Sequence, residues 1–217
     1  MVRAFHTPRL SADQRIGPHH FHVLSFFYGA LLGDGYAEKH GAGVRVQFHQ
    51  RKRHVAYLMH LHSYLASFGY VNPDKPRLSR YIGKNGKIYY RLKFRTWTFS
   101  RLAFLHNAWY KDGVKVLPKD LEFYLTPLSL AVWIRDDGHY TGCGTLLCTD
   151  NFTKKEVEQL SIILMRKFGL QTTLRLVKKK YWCLYIPAKS MALLKKLTKE
   201  FIDISMHRKL GNIVKRL

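Results

Sequence analysis

The sequence predicts an α+β fold built from two copies of one order of elements: helix, strand, helix, hairpin, helix. Apolar residues recur at helical and then at strand spacing, and they do so in the same order twice. Matching positions also lie a similar distance apart, since Asp137 follows Asp34 by 103 residues and Gly169 follows Gly69 by 100. A repeat of this length indicates a duplicated domain, because solenoid units are only ~20–50 residues long.

The composition points to a polyanionic partner. With 47% hydrophobic and 14% aromatic residues, a chain of 217 residues can bury a sizeable core. Its 37 Lys+Arg against 14 Asp+Glu give a formal charge of +23 and a pI near 10.1, which makes nucleic acid the first candidate. A membrane surface is the alternative, but no apolar run approaches the ~20 residues of a spanning helix, so we expect no membrane partner.

The first half is predicted to cover residues 19–118, after an N-terminal tail of residues 1–18. Its first helix, FHVLSFFYGALLGDGY, contains Gly29 and Gly33. Because interior glycine costs about 1 kcal/mol relative to alanine, we expect another helix to approach closely there. A strand, GVRVQFHQ, and a helix that stops at Gly69 follow.

A hairpin and a third helix complete this half. The hairpin, RLSRYIGKNGKIYYRLKFRTW, is predicted to turn tightly at Asn85-Gly86, with Ile88, Tyr90, Leu92 and Phe94 facing the core. The next helix is predicted from about Phe99 to Tyr110.

The second half is predicted to cover residues 127–217, after a linker of residues 119–126. Thr126 and Pro127 have the residue types of an N-cap and a first helical position, and Thr153 with Glu156 forms a capping box. The elements are the helix PLSLAVWIRDDG, the strand GTLLCT, the helix TKKEVEQLSIILMRKFG, the hairpin TTLRLVKKKYWCLYIP and the helix AKSMALLKKLTKEF.

The three cysteines do not predict a disulfide framework. Their number is odd and no secretory segment is visible, so we expect a protein that is not secreted. His139, Cys143 and Cys148 lack the two-plus-two spacing of a zinc site, and small buried thiols are the preferred interpretation.

Asp34 and Asp137 are the candidate metal ligands. Each lies at the end of an apolar helix and precedes a glycine, where the helix dipole disfavours a negative charge by ~0.3–1 kcal/mol. Such an acid can simply mark a helix end, but two equivalent acids in a chain this basic favour a divalent cation. Oxygen ligands suit Mg²⁺, and Mg²⁺ in a basic protein suggests phosphodiester hydrolysis.

The motifs GALLGDGY and LAVWIRDDGHY resemble those of the monomeric, intron-encoded LAGLIDADG homing endonucleases. The resemblance extends through LCTDNFTKKEVEQL to HRKL, from Phe26 to about Leu210. It implies two αββαββα halves that form a pseudo-twofold saddle, with antiparallel sheets on the DNA-facing side. It also implies a monomer in an organelle, chloroplast or mitochondrion, that cuts both strands of a long asymmetric DNA target.

The resemblance further implies an active site of acids and lysines. Asp34 and Asp137 would hold Mg²⁺ together with Gly33 and Asp136, and Mn²⁺ would substitute while Ca²⁺ would bind without cleavage. The family's active-site lysines correspond to Lys115 in KVLP and Lys209 in HRKL.

A polar residue near the scissile phosphate corresponds to His49 in one half and Cys148 in the other. A thiol is a poor general base for water at neutral pH, so we expect the two strands to be cut unequally.

The polar residues of the predicted strands are the candidate DNA contacts. They mix cations, amides, hydroxyls and rings with no acid among them, and Arg and Gln can read base edges with ~1–3 kcal/mol of discrimination. The set is Arg45, Gln47, His49, Arg77, Ser79, Tyr81, Lys87, Tyr89, Arg91, Lys93, Arg95, Thr173, Arg175 and Lys179.

Two other functions stay open. An intron RNA maturase of the same fold would bind RNA, and a regulator of this ancestry would bind a long DNA site without cutting it. Retention of both acids favours the endonuclease.

Overall fold

The computed structural model describes residues 10–15, 18–51, 55–83, 85–202 and 208–211, so most of the predicted N-terminal tail lies outside the described residues. The chain divides into two compact units. Unit 1 contains the described residues up to Val23 and Asp34–Asn107, and unit 2 contains Leu24–Gly33 and the described residues from Ala108 onward.

Unit 1 is a sheet covered by one helix. Its antiparallel strands are β1 (Tyr36–His40), β2 (Gly43–Arg51), β3 (Leu78–Ile82) and β4 (Ile88–Arg95), paired in the order β1-β2-β4-β3. Helix α2 (Val55–Ser67) packs on β2 and β4 through Tyr57, Leu58, Leu61 and Leu65. A 3₁₀ turn, Ser100–Leu102, leads into α3 (Ala103–Trp109).

Unit 2 contains the second sheet and most of the helices. The last ten residues before Asp34, largely from α1 (Phe21–Leu32), belong to it. Its other elements are β5 (Tyr110–Lys111), β6 (Val114–Lys115), α4 (Leu121–Tyr124), α5 (Pro127–Asp137), β7 (Gly138–Tyr140), β8 (Thr145–Leu147), α6 (Lys154–Phe168), β9 (Thr173–Val177), β10 (Tyr181–Ile186) and α7 (Ala188–Thr198). The sheet order is β7-β8-β10-β9, with α6 packed on β9 and β10.

The predicted duplication is confirmed, although each copy has two strands, where the sequence predicted one, between its first two helices. The run β1-β2-α2-β3-β4-α3 matches β7-β8-α6-β9-β10-α7, and the two sheets pair their strands in the same order. The α+β fold class with antiparallel sheets is therefore confirmed. In the described part of the chain, no helix is both long and apolar enough to cross a membrane.

Local capping signals of the second half are confirmed. Thr126 caps α5 by accepting from the Ser129 N–H, and Thr153 with Glu156 forms the capping box of α6. Glu156 Oε1 also accepts from the Leu117 N–H at 2.8 Å. Burial favours the neutral acid at Glu156, but the N–H and O–H donors that bind its carboxylate outweigh burial and lower its pKa.

Two details of the first half differ from the prediction. Helix α1 ends at Leu32, because the Gly33 N–H bonds three residues back to Ala30 in a tighter final turn, so Gly33 is not inside the helix. The hairpin loop is longer than two residues, since Gly83 and Lys87 still pair and Gly86 takes the left-handed position at φ +73°.

The core side of the hairpin is also shorter than predicted. Leu92 and Phe94 are buried, but Ile88 and Tyr90 are 52% and 43% exposed. The outer half of the hairpin is therefore exposed on both faces.

Candidate metal and nucleic-acid site

Two helices of unit 2 approach each other closely at small residues. A Cβ at Gly29 would lie 2.6 Å from Ser129 Cα of α5, and a Cβ at Gly33 would lie 2.6 Å from Asp136 Cβ. The hydroxyls of Ser25 and Thr126 also hydrogen-bond to each other. The predicted reason for the two glycines, close approach of another helix, fits both positions.

Two lysines bind the carbonyl that precedes each candidate metal acid. Lys115 Nζ, on β6, donates to the backbone oxygens of Leu31 at 2.9 Å and Gly33 at 3.3 Å. Lys209 Nζ donates to the backbone oxygen of Asp136 at 2.8 Å. Both ammonium groups are therefore fixed at equivalent positions, one residue before Asp34 and one before Asp137.

Asp34 belongs to unit 1, where its exposed carboxylate accepts from Gln50 Nε2 at 2.7 Å. The sequence analysis placed His49 near the scissile phosphate and named no hydrogen-bond partner for Asp34, so it did not identify Gln50. His49 is exposed on β2 and pairs with Lys93 of β4. Polarity alone did not separate these neighbours, because the strand register decides which of them reaches the acid.

Asp137 is half-buried at the end of α5, and its backbone oxygen accepts from the Cys148 N–H at 3.1 Å. Burial, followed by the neighbouring Cys183, Asp137 and Asp150, raises the pKa of the Cys148 thiol to about 12. In the metal-free protein Cys148 is therefore protonated at neutral pH, which makes it a poor general base for its half.

The donor types at each of the two motifs fit a hard cation. Asp34, Asp136 and Asp137 offer carboxylates, and Gly33 offers only its backbone oxygen. A carbonyl oxygen has two lone pairs, so the bond from Lys115 leaves one available at Gly33. Oxygen donors of this kind are those that Mg²⁺ prefers.

The DNA-contact candidates of unit 1 share one face of its sheet. Cross-strand pairs place Arg95 opposite Gln47, Lys93 opposite His49, and Tyr89 opposite Tyr81, and opposed residues lie on the same face. The Tyr81 and Tyr89 rings stack with centroids 5.5 Å apart. The exposed members are His49, Arg77, Ser79, Tyr81, Lys87, Tyr89, Lys93 and Arg95, and the side chain of Arg91 lies outside the described residues.

This face does contain an acid, contrary to the prediction. Glu38 of β1 pairs with Arg45 and binds both the Arg45 guanidinium at 2.5 Å and the Gln47 amide. Hydrogen bonding to Arg45 is the main reason that the pKa of Glu38 is lowered. Arg45 and Gln47 are thus engaged within the sheet, and Gln47 is only 8% exposed.

The candidates of unit 2 lie on and beside β9. Thr173 and Arg175 are exposed, and the Arg175 guanidinium lies 3.3 Å from the Tyr185 ring centroid on β10. Lys179 is exposed in the β9-β10 turn with φ +54°.

The cysteines do not all follow the prediction of small buried thiols. Cys183 is buried and Cys148 is half-buried, but Cys143 is exposed. The sulfurs of Cys148 and Cys183 lie close to the carboxylate of Asp150, a grouping different from the His139, Cys143 and Cys148 set weighed from the sequence.

Comparison with known proteins shows where such a fold occurs. Residues 24–194 match the sequence model of the LAGLIDADG DNA endonuclease family. The chain resembles the homing endonuclease I-WcaI, solved bound to its DNA recognition sequence, with a TM-score of 0.84, 24% identity, and coverage of 99% of this chain and 100% of that one. That likeness establishes a shared fold.

The curated relatives are named either mRNA maturases or intron-encoded endonucleases. Cytochrome b mRNA maturase bI2 of Saccharomyces cerevisiae is 39% identical over 98% of this chain, which spans about half (52%) of that relative. The protein of the same name from Debaryomyces hansenii is 42% identical over 88% of this chain and 74% of the relative. Intron-encoded endonuclease ai4 of Dictyostelium discoideum is 37% identical over 66% of this chain and 93% of the relative.

Proposed function

Because the chain belongs to the LAGLIDADG DNA endonuclease family, we propose that it is a Mg²⁺-dependent endonuclease that cuts both strands of a long, asymmetric DNA site. It acts as a monomer in this proposal, since both copies of the motif are on one chain. Its proposed location is an organelle, chloroplast or mitochondrion, whose genes contain introns.

The matched lysine contacts are the observation that carries this proposal. Lys115 on the Gly33 carbonyl and Lys209 on the Asp136 carbonyl each place an ammonium group beside the backbone of a candidate metal acid. A lysine with a purely structural role has no reason to recur at the matching position of the second half. Cleavage of two DNA strands, in contrast, requires two active sites. Each ammonium can offset the negative charge that develops on a phosphate under attack.

The acids Asp34 and Asp137 hold the divalent cation in this proposal. When bound, Mg²⁺ lowers the pKa of water and stabilises the leaving oxygen. Gln50 fixes the orientation of the Asp34 carboxylate by its hydrogen bond at 2.7 Å. The matching positions hold an imidazole, His49, in one half and a thiol of raised pKa, Cys148, in the other, so the two strands are cut at different rates in this proposal.

DNA binds to the polar sheet faces in this proposal. In unit 1 the exposed cations Arg77, Lys87, Lys93 and Arg95 contact phosphates and base edges, and the Tyr81–Tyr89 pair supplies aromatic contact. Because bound phosphates release counterions, log affinity should fall steeply and linearly with log salt concentration.

The decisive test uses charge removal without change of shape. The break points are first mapped by sequencing a randomised DNA library cut with Mg²⁺, and the resulting site is then used with Asp34→Asn and Asp137→Asn. We expect both variants to bind this site and to leave it uncut. Asp112→Asn is the matched control, because Asp112 is an exposed acid with φ +51°, a conformation that Asn tolerates.

Wild-type cleavage by either motif variant would show that the acids are not metal ligands. Loss of cleavage in Asp112→Asn would show that the assay reports general damage instead of the site.

A second candidate function is an intron RNA maturase, and the two maturases at 39% and 42% identity favour it. Cation-rich sheet faces can also bind RNA backbone. A splicing assay with the intron that encodes the chain separates the two functions, since Asp34→Asn should abolish DNA cleavage and leave splicing unchanged if RNA binding alone suffices. Splicing that requires the same acid would contradict this separation.

A further inference from the structure

Three potential metal ligands converge at the end of β8 in unit 2. The sulfurs of Cys148 and Cys183 and a carboxylate oxygen of Asp150 all lie within 4.8 Å of one another. Cys183 Sγ is 3.9 Å from Asp150 Oδ1. A tetrahedral ion with metal–sulfur bonds of ~2.3 Å holds two sulfurs ~3.8 Å apart, so small side-chain rotations bring all three atoms onto one ion.

The backbone sets this convergence. Leu184 of β10 pairs with Leu147, the last residue of β8, and Cys183 and Cys148 lie one residue further along from that pair. Cys183 is 1% exposed, Cys148 is half-buried and Asp150 is exposed. The group is therefore rigid on its sulfur side and open to an incoming ion on its carboxylate side.

The first half has a different chemistry at the matching positions. There Phe48 pairs with Phe94 as Leu147 pairs with Leu184, so Cys148 and Cys183 match His49 and Lys93, and Asp150 matches Arg51. Two cations and an imidazole in one half thus correspond to two thiols and a carboxylate in the other. In a chain of net charge +23, the second half thus has two soft sulfur donors and one carboxylate where the first half has three basic side chains.

We propose that Cys148, Asp150 and Cys183 bind a soft divalent cation of the Zn²⁺ class, separate from the hard-cation ligands Asp34 and Asp137. Thiolates select such ions over Mg²⁺, and three protein ligands leave a fourth position for water. The ion restrains the residues that follow β8. Among them is Cys148, whose N–H donates to the backbone oxygen of Asp137.

Cobalt titration tests the proposal directly. The reduced, metal-free full chain is titrated with Co²⁺, which reports thiolate ligands by sulfur-to-metal charge-transfer absorption in the near ultraviolet. We expect one Co²⁺ per chain, displaced by Zn²⁺ and unaffected by excess Mg²⁺. No charge-transfer band in protein with three titratable thiols would overturn the proposal.

Three variants locate the ion. Cys183→Ser should abolish the band, and Cys143→Ser, which changes the exposed cysteine outside the cluster, should retain it. Because replacement of a buried thiol can unfold the sheet, Asp150→Asn at an exposed position is the second probe, with circular dichroism confirming the fold. It should weaken Co²⁺ binding by more than ~10-fold, the lower bound for loss of an outer-shell partner. Wild-type affinity in Asp150→Asn, or an unchanged band in Cys183→Ser, would refute the site.

Discussion

Replacement of Gly29 by alanine tests the contact between α1 and α5. The new Cβ would lie 2.6 Å from Ser129 Cα, whereas carbon atoms pack without strain ~3.5–4.0 Å apart. The obstructing atoms belong to the Ser129 backbone, so no side-chain rotation relieves the overlap. The two helices must separate by about 1 Å in this region of unit 2.

The expected loss of stability follows from two opposing effects. Overpacking of this kind costs ~1–3 kcal/mol, and alanine regains up to ~1 kcal/mol of helix propensity relative to glycine. Because the overlap is with backbone, the cost should lie at the upper end and leave a net loss of about 1–2 kcal/mol. For a chain of this size that lowers Tm by about 2–8 °C.

Thermal unfolding followed by circular dichroism measures the effect, and a double-mutant cycle with Ser129→Ala identifies its origin. Ser129→Ala removes the Oγ that accepts from the Thr126 N–H but leaves the obstructing backbone in place, so the two losses should add. A Tm above wild type in Gly29→Ala, as helix propensity alone predicts, would refute the close approach. Rescue by Ser129→Ala would show that the side chain is the obstacle.

Three further outcomes are expected. Gln50→Ala should slow cleavage of one strand by ~10–100-fold, because Asp34 loses the residue that orients its carboxylate. The rates are measured separately for each strand of an end-labelled duplex, and equal slowing of both strands would count against this role. Cys148→His should accelerate cleavage of the more slowly cut strand and make that cleavage rate depend on pH near ~6.5, the ordinary pKa of histidine. The wild-type thiol has a raised pKa, so the wild-type rate should show no such dependence there. Identical pH–rate profiles would contradict the asymmetry. Glu156→Gln should lower Tm at pH 7. The pKa of Glu156 is lowered in the folded protein, so its carboxylate stabilises the fold at pH values above the ordinary pKa of glutamate. This contribution is lost as the pH falls through the pKa of the folded state. Variant and wild-type Tm should converge in acid, and a gap that persists there would assign the loss to packing.

Local signals explain which parts of the fold could be predicted. The caps at Thr126 and Thr153 and the left-handed stop at Gly169 depend on residues within one or two turns, and all three are present. The duplicated order was also accessible, because hydrophobic periodicity reports each element separately.

Long-range register explains the rest. Which of His49 and Gln50 meets Asp34 depends on how β2 lies in the sheet, and the proximity of Cys183 to Cys148 depends on β10 pairing with β8. The alternation of Ile88 and Tyr90 predicts one face correctly but does not tell how far α2 covers that face. Single-sequence periodicity contains none of this information.

The assignment of α1 to the two units has a consequence for recombination between relatives. Leu24–Gly33 packs in unit 2, although Val23 and Asp34 on either side belong to unit 1. A chimera joined at residues 119–126 would therefore pair its α1 with a foreign α5 and keep the backbone contact at Gly29 only if both parents match there. Exchange of Leu24–Gly33 together with the second half would preserve that contact. The module that must be inherited together is therefore made of two segments that are separate in the sequence.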